Sequence, residues 1–171
     1  MDPVIAPGIP APAVDLLDLE GVVHCLDAQR GRLTVLNFWS VECPWSERAD
    51  GVVLEAVRET DADLWTIASC AGETPDRILE ISAERGLPVV LLDPDQAAAD
   101  RYQAQATPHV FVVDTHGILR YRGAPDDAGF GNPVPSRTYL ADALRAIRQG
   151  RAPDPAETPA QGCAIVRRRF G

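Results

Sequence analysis

Residues Leu33-Thr34-Val35-Leu36-Asn37-Phe38-Trp39 are apolar almost throughout and run directly into Ser40-Val41-Glu42-Cys43-Pro44. A short run without alternation fits a strand covered on both faces, which is the habit of parallel sheets. A helical pattern follows at once, with Val52, Val53, Leu54, Ala56 and Val57, weakened by Gly51. Pro44 suits the first helical turn, where its missing N–H costs nothing. A cysteine at such a junction faces the positive end of the helix dipole and free backbone N–H groups, and both favour thiolate over thiol. Cys43 is therefore expected to be reactive rather than a buried filler.

The rest of the chain alternates strands and helices. Residues 21–26 read as an earlier strand, joined to 33–40 through Asp27-Ala28-Gln29-Arg30-Gly31. Residues 64–69 form another apolar strand. Thr74-Pro75 supplies an N-cap and first-turn proline to a helix with Ile78, Leu79 and Ile81 on its apolar side, ended by Gly86. Residues 89–92 are a short strand, and Asp93-Pro94 opens a short helix through Tyr102. Residues 110–113 and 118–121 pair as a hairpin around Asp114-Thr115-His116-Gly117. A loop over 123–135 with three glycines and three prolines leads to Ser136, the expected cap of a last helix. That helix carries Tyr139, Leu140, Ala143, Leu144 and Ile147 on one face and stops at Gly150. Strands alternating with helices and closing on a hairpin plus helix imply an α/β sandwich with a mixed sheet. The expected division is a Pro-rich extended lead over 1–13, one domain over 14–150, and a Pro-rich tail over 151–171 that carries Cys163.

Composition narrows the function. Sixteen arginines, no lysine and 25 acidic residues give a net charge of −9 over 171 residues, which disfavours nucleic acid as a partner. No apolar run approaches the ~18 residues of a membrane helix, so no membrane contact is expected. The opening Met1-Asp2-Pro3-Val4-Ile5 lacks a basic leader, and a cytoplasmic location is expected. Four cysteines, at 25, 43, 70 and 163, are too sparse for a disulfide scaffold and lack metal-ligand spacing. No cofactor and no metal is expected.

Three motifs occur in a telling order: Leu36-Asn37-Phe38-Trp39 leading into Cys43-Pro44-Trp45-Ser46; Ala106-Thr107-Pro108-His109-Val110-Phe111-Val112-Val113-Asp114; and the hairpin segment Gly117-Ile118-Leu119-Arg120-Tyr121-Arg122-Gly123. On these the chain resembles the thioredoxin superfamily. Within it, the likeness is to the redoxin branch of alkyl hydroperoxide reductase/thiol-specific antioxidant proteins and cytochrome-maturation thioredoxins. The resemblance covers roughly residues 15–150. It implies a three-layer α/β/α sandwich with a mixed central sheet, a C-terminal β-hairpin and a helix. It also implies a cis Thr107-Pro108 bond facing Cys43, beside which a substrate chain could pair. Trp39 matches the family's wall beside the cysteine, and Trp39 and Trp45 are expected as active-site surface and packing residues.

The departures are informative. Ser46 stands where the family usually has a second cysteine, and a serine cannot release a mixed disulfide. Glu42 stands where a Trp is common, and its charge is expected to raise the Cys43 pKa. Asn37 replaces a buried Asp of plain thioredoxins. Resolution of a Cys43 mixed disulfide is then left to Cys163, to Cys70 or to an external thiol. Cys163 is the first candidate, because similar redoxin-domain proteins with Cys-Pro-x-Ser fronts carry a cysteine so placed. Cys70 ends the neighbouring strand, and Cys25 reads as strand packing. His109 either approaches Cys43 or faces solvent. His24 and His116 read as surface residues, and Arg167-Arg168-Arg169 as a solvated tail.

The leading expectation is a thiol–disulfide oxidoreductase with Cys43 as nucleophile, acting on a protein or small-molecule disulfide with an unspecified thiol reductant. A peroxiredoxin-type peroxidase is the alternative, since Ser40-Val41-Glu42-Cys43 partly resembles a Thr-x-x-Cys site. Against it, Leu36 sits where that family has proline, and Pro108 about where it has arginine. A non-catalytic binding module and an iron–sulfur carrier are the remaining readings.

Overall fold

The computed structural model describes residues 3–169; Met1, Asp2, Phe170 and Gly171, and with them the ends of the expected lead and tail, lie outside the described residues. Nine strands and four helices occur among them: β1 (Asp15–Asp18), β2 (Val23–Cys25), β3 (Thr34–Trp39), α1 (Pro44–Thr60), β4 (Asp63–Ala68), α2 (Pro75–Glu84), β5 (Val90–Leu92), α3 (Ala97–Arg101), β6 (Ala106–Thr107), β7 (His109–Val113), β8 (Leu119–Gly123), α4 (Tyr139–Arg148) and β9 (Cys163–Ala164). Seven strands form one mixed sheet in the order β2-β1-β5-β4-β3-β7-β8, and β6 pairs separately with β9. The pairs β3–β4 and β4–β5 are parallel, whereas β3–β7 and β7–β8 are antiparallel.

The apolar run over β3 is explained by its place. All six residues are buried, with one face in each of two cores. Leu36 and Phe38 join Trp65, Ile67, Phe111 and Tyr102 on one side, together with Ile5 and Val14 of the lead and Ile165 of the tail. Val35 joins Leu64, Val110, Val112 and Tyr121 under Val53, Ala56 and Val57 of α1 and Leu140, Ala143 and Leu144 of α4. A third cluster gathers Trp39, Val41, Ala68 and Val90 beneath Ile78 and Ile81 of α2.

Thr74 caps α2 as expected, its hydroxyl accepting the Arg77 N–H at 3.3 Å. Ser136 does not cap α4. That helix starts at Tyr139 with Thr138 as N-cap, because the Ser136 hydroxyl donates to Asp127 at 2.5 Å instead. The first expected strand is shorter than its sequence suggested, and Leu26–Gln29 turns as a 3-10 helix. The tail is docked onto the domain. Thr158 meets the Tyr121 hydroxyl at 2.8 Å and accepts the Ala124 N–H at 3.0 Å. Ile165 is buried, and the Val166 carbonyl accepts the Ala71 N–H at 2.9 Å. Arg167 and Arg168, expected in solvent, serve this docking too: Arg167 bonds Asp100 and the Ala104 carbonyl, and the Arg168 N–H donates to Gln96.

Candidate active site

Cys43 occupies the N-cap of α1 with an extended backbone (φ −95°, ψ 113°), and Pro44 opens the first turn. The Ser46 N–H, one of the donors that a helix start leaves free, points at Cys43 Sγ from 3.4 Å. Across the site, the Thr107-Pro108 peptide bond is cis, and the Thr107 carbonyl accepts from Cys43 Sγ at 3.0 Å. Among the described residues, the buried Thr107 hydroxyl has no hydrogen-bond partner within ordinary geometry. The proline motif and the cysteine therefore meet at the end of the sheet where β3 gives way to α1.

The tail supplies the second sulfur. β9 runs antiparallel to β6 in the register Thr107↔Cys163 and Ala106↔Ala164. This brings Cys163 Sγ to 2.7 Å from Cys43 Sγ. Gly162 makes the approach feasible: its φ of +151° disfavours other residues, and a Cβ there would collide with the Thr107 carbonyl oxygen.

The two sulfurs differ electrostatically. Burial pushes the Cys43 thiol up, but the Cys163 thiol, the neighbouring Thr107 side chain and the Ser46 and Cys163 backbones outweigh it and hold the thiol below its ordinary value. For Cys163, burial, its bond to Cys43 and the repulsion of a Cys43 thiolate push the thiol up to about 11. Of the two sulfurs, Cys43 is the one on which negative charge is better stabilised. It is also 2% exposed, beneath the half-buried Cys163.

The other expected site residues fall in different places. Ser46 is buried; its N–H points at Cys43, and its hydroxyl accepts the Ser40 N–H at 3.4 Å, so it fixes the turn. Trp45 is half-buried beside the site, its ring edge-on to Phe130 at 5.1 Å and beneath the Arg48 guanidinium. Trp39 is not an active-site surface residue. It is fully buried under α2, donates to Asp50 at 3.3 Å, and has the Arg85 guanidinium 5.5 Å above its ring. Burial raises the Asp50 pKa, opposed by Trp39 and Arg85. Glu42 does not raise the Cys43 pKa as expected: its side chain turns to solvent and approaches Arg77 at 3.7 Å.

His109 makes no hydrogen bond to the Cys43 thiol and does not face solvent. It is buried against Phe111, its Nδ1 accepts the Gln105 N–H at 3.2 Å, and burial lowers its pKa to about 4. Cys70 lies two residues past β4, half-buried, with its thiol pushed up chiefly by burial. Cys25 sits on β2, separated from β3 in the sheet by β1, β5 and β4. Asn37 is buried in β3, its amide oxygen without a hydrogen-bond partner among the described residues. Sequence reasoning missed Glu73. Burial raises its pKa, its carboxylate takes the Ser40 hydroxyl and accepts the Val41 N–H at 3.0 Å, and it thereby holds the loop before Cys43. It missed Asp50 and Arg85 as well, because an acid and a base 35 residues apart carry no local pattern.

A sheet of this order, a cysteine capping the helix after its central strand and a cis-proline opposite it define a thioredoxin-like redoxin. The AhpC/TSA family pattern matches residues 7–122, and the chain belongs to that family. A thiol:disulfide interchange protein DsbE of Allochromatium vinosum is 30% identical over 124 residues, covering 70% of this chain and 67% of that one. The chain is thus related to the DsbE thiol–disulfide oxidoreductases. The crystal structure of an uncharacterised conserved protein from Geobacillus kaustophilus superposes with a TM-score of 0.87 at 24% identity, over 100% of this chain and 95% of that one. The thioredoxin domain of a thiol-disulfide oxidoreductase from Bacteroides vulgatus gives 0.60 at 20% identity, over 68% of this chain and 86% of its own. Both likenesses concern the fold.

Proposed function

We propose that the protein exchanges disulfides through a Cys43–Cys163 couple: Cys43 supplies the thiolate, Cys163 the resolving sulfur, and the bridge between them passes to and from an outside thiol or disulfide. The observation that carries this reading is the 2.7 Å separation of two sulfurs whose chain positions are 120 residues apart, at the cis-proline. Ser46 fits the same reading, since a thiol in the tail takes the place of one in the helix turn. No other cysteine is so placed: Cys25 is across the sheet, and Cys70 is held by burial as a neutral thiol.

A peroxidase has less support. The Ser40 hydroxyl, the counterpart of the Thr in a Thr-x-x-Cys site, is committed to Glu73. The partners proposed are a thiol and a disulfide; among the described residues no helix is long and apolar enough to cross a membrane. Nothing in the fold supports the cytoplasmic expectation; a reducing compartment would keep the couple as dithiol and an oxidising one as disulfide. The test is catalysed exchange between glutathione and a chromogenic aromatic disulfide. The couple gives turnover that Cys43→Ser abolishes and Cys163→Ser reduces. Unchanged turnover in Cys43→Ser, or thiol loss to hydrogen peroxide far faster than that of free cysteine without turnover here, rejects the reading.

A further inference from the structure

Resting on the Cys43–Cys163 couple of the exchange reading above but exchanging the roles of its two sulfurs, we propose that the outside partner meets the oxidised bridge at Cys163 Sγ rather than at Cys43 Sγ, with Cys43 the sulfur that closes the mixed disulfide again, and that this partner is a low-molecular-weight thiol rather than an extended polypeptide. Three observations carry it. First, Cys43 is 2% exposed beneath Cys163, so an incoming sulfur reaches Cys163 before it can reach Cys43. Secondly, the backbone edge beside the cis-proline, where an extended chain would add as a strand, is already taken by β9.

Thirdly, β9 is fixed on both sides. Before it, Thr158 is bonded to Tyr121 and Ala124. After it, Ile165 is buried in the core, and the Val166 carbonyl accepts from Ala71 and from the Gln96 amide at 2.8 Å. Gln96 in turn accepts the Arg168 N–H at 2.9 Å. A substrate chain would have to break all of these contacts to reach the Thr107 edge. A small thiol breaks none.

The chemistry runs in the same direction. An external thiolate attacks Cys163 Sγ, the Cys43–Cys163 bond breaks, and its electron pair leaves on Cys43 Sγ. Cys43 is the sulfur held below its ordinary pKa, and Cys163 the one pushed up to about 11. The better leaving group is thus already the covered one. A second external thiolate then attacks the outer sulfur of the mixed disulfide. The two outside thiols leave as one disulfide, and Cys163 leaves as a thiolate that takes a proton from water. Two outside thiols are oxidised and one protein bridge is reduced.

The experiment uses the full chain carrying Cys25→Ser and Cys70→Ser, oxidised with stoichiometric diamide, mixed with glutathione, acid-quenched and mapped by mass spectrometry. With Cys43 the lower-pKa leaving sulfur, adduct on Cys163 is expected to exceed adduct on Cys43 by on the order of tenfold. Adduct mainly on Cys43, in protein shown to carry the Cys43–Cys163 bridge before glutathione was added, overturns this inference and leaves the exchange reading standing. Absence of a Cys43–Cys163 bridge before glutathione is added overturns both. A second arm compares glutathione with an extended peptide bearing one cysteine. Equal or slower reaction of the peptide is expected, and a clear advantage for the peptide overturns the small-thiol assignment. Gly162→Val, which forces β9 off Thr107, should open the edge, raise the peptide rate and shift adduct towards Cys43. An unchanged peptide rate, with the tail shown to be displaced, also overturns it.

Discussion

Oxidising the couple should stabilise the fold by an amount that the chain length sets. A bridge between Cys43 and Cys163 closes a loop of 120 residues. In the loop-entropy picture this restricts the unfolded chain by about 5 kcal/mol, with native distortion subtracting from that ceiling. The folded state has little to distort, since the sulfurs already lie together and β9 is held by Thr107 and by Ile165 in the core. An increase of about 3–5 kcal/mol is therefore expected, equivalent to a Tm rise on the order of 10 °C for a domain of this size. The assay is urea unfolding of oxidised and reduced protein, followed by far-ultraviolet circular dichroism, with Cys163→Ala under the same oxidant as control. A difference below about 1 kcal/mol would refute the reasoning, because the closed loop would not be constraining the unfolded chain. An equal gain in Cys163→Ala would refute it too, because the bridge would then lie elsewhere.

Three further outcomes follow from the site and its supports. Cys163→Ala removes the largest favourable contact to the Cys43 sulfur, so the Cys43 pKa should rise; thiolate absorbance against pH reads this, and an unchanged or lower value contradicts it. His109, lowered to about 4 by burial, is neutral in the fold at neutral pH. Its contribution is complete above its unfolded value of about 6.5 and is lost as pH falls towards 4, at a cost of order 3 kcal/mol. His109→Gln should flatten this part of the stability profile between pH 7 and 4.5 in urea titrations, and a parallel profile would contradict it. Asp50→Ala strands the Arg85 guanidinium and the Trp39 indole N–H under α2, and should lower the unfolding free energy by about 3 kcal/mol; a loss under 1 kcal/mol shows that water replaces the carboxylate.

The parts of this protein legible in its sequence are those written in local pattern. The apolar run of β3, the proline at the first turn of α1 and the Thr74 cap each report a near-neighbour constraint. The cis bond at Thr107-Pro108 was expected from family resemblance. β1 was missed because Asp15-Leu16-Leu17-Asp18 is short and charged at both ends. The N-cap of α4 was misplaced because Asp127, nine residues upstream, takes the Ser136 hydroxyl.

Family resemblance marks Trp39 as an active-site surface and packing residue, and only its packing role agrees with its burial. In the fold, its strand parity carries it under α2, where Asp50 and Arg85 complete its surroundings. Glu42 was weighed by its neighbour in sequence, whereas its side chain leans towards Arg77. The docking of the tail uses backbone pairs, one glycine and the Gln96 amide, none of which leaves a hydrophobic period. That docking also covers Cys43, whose burial the dipole argument does not anticipate.

Disulfide mapping after mild oxidation of the native, full-length chain is the most direct test of the couple. The fragment joining the Cys43 peptide to the Cys163 peptide should account for most of the oxidised protein, with Cys25 and Cys70 recovered as thiols. A dominant Cys43–Cys70 link, or a Cys43 sulfenic acid with Cys163 still reduced, would contradict the account.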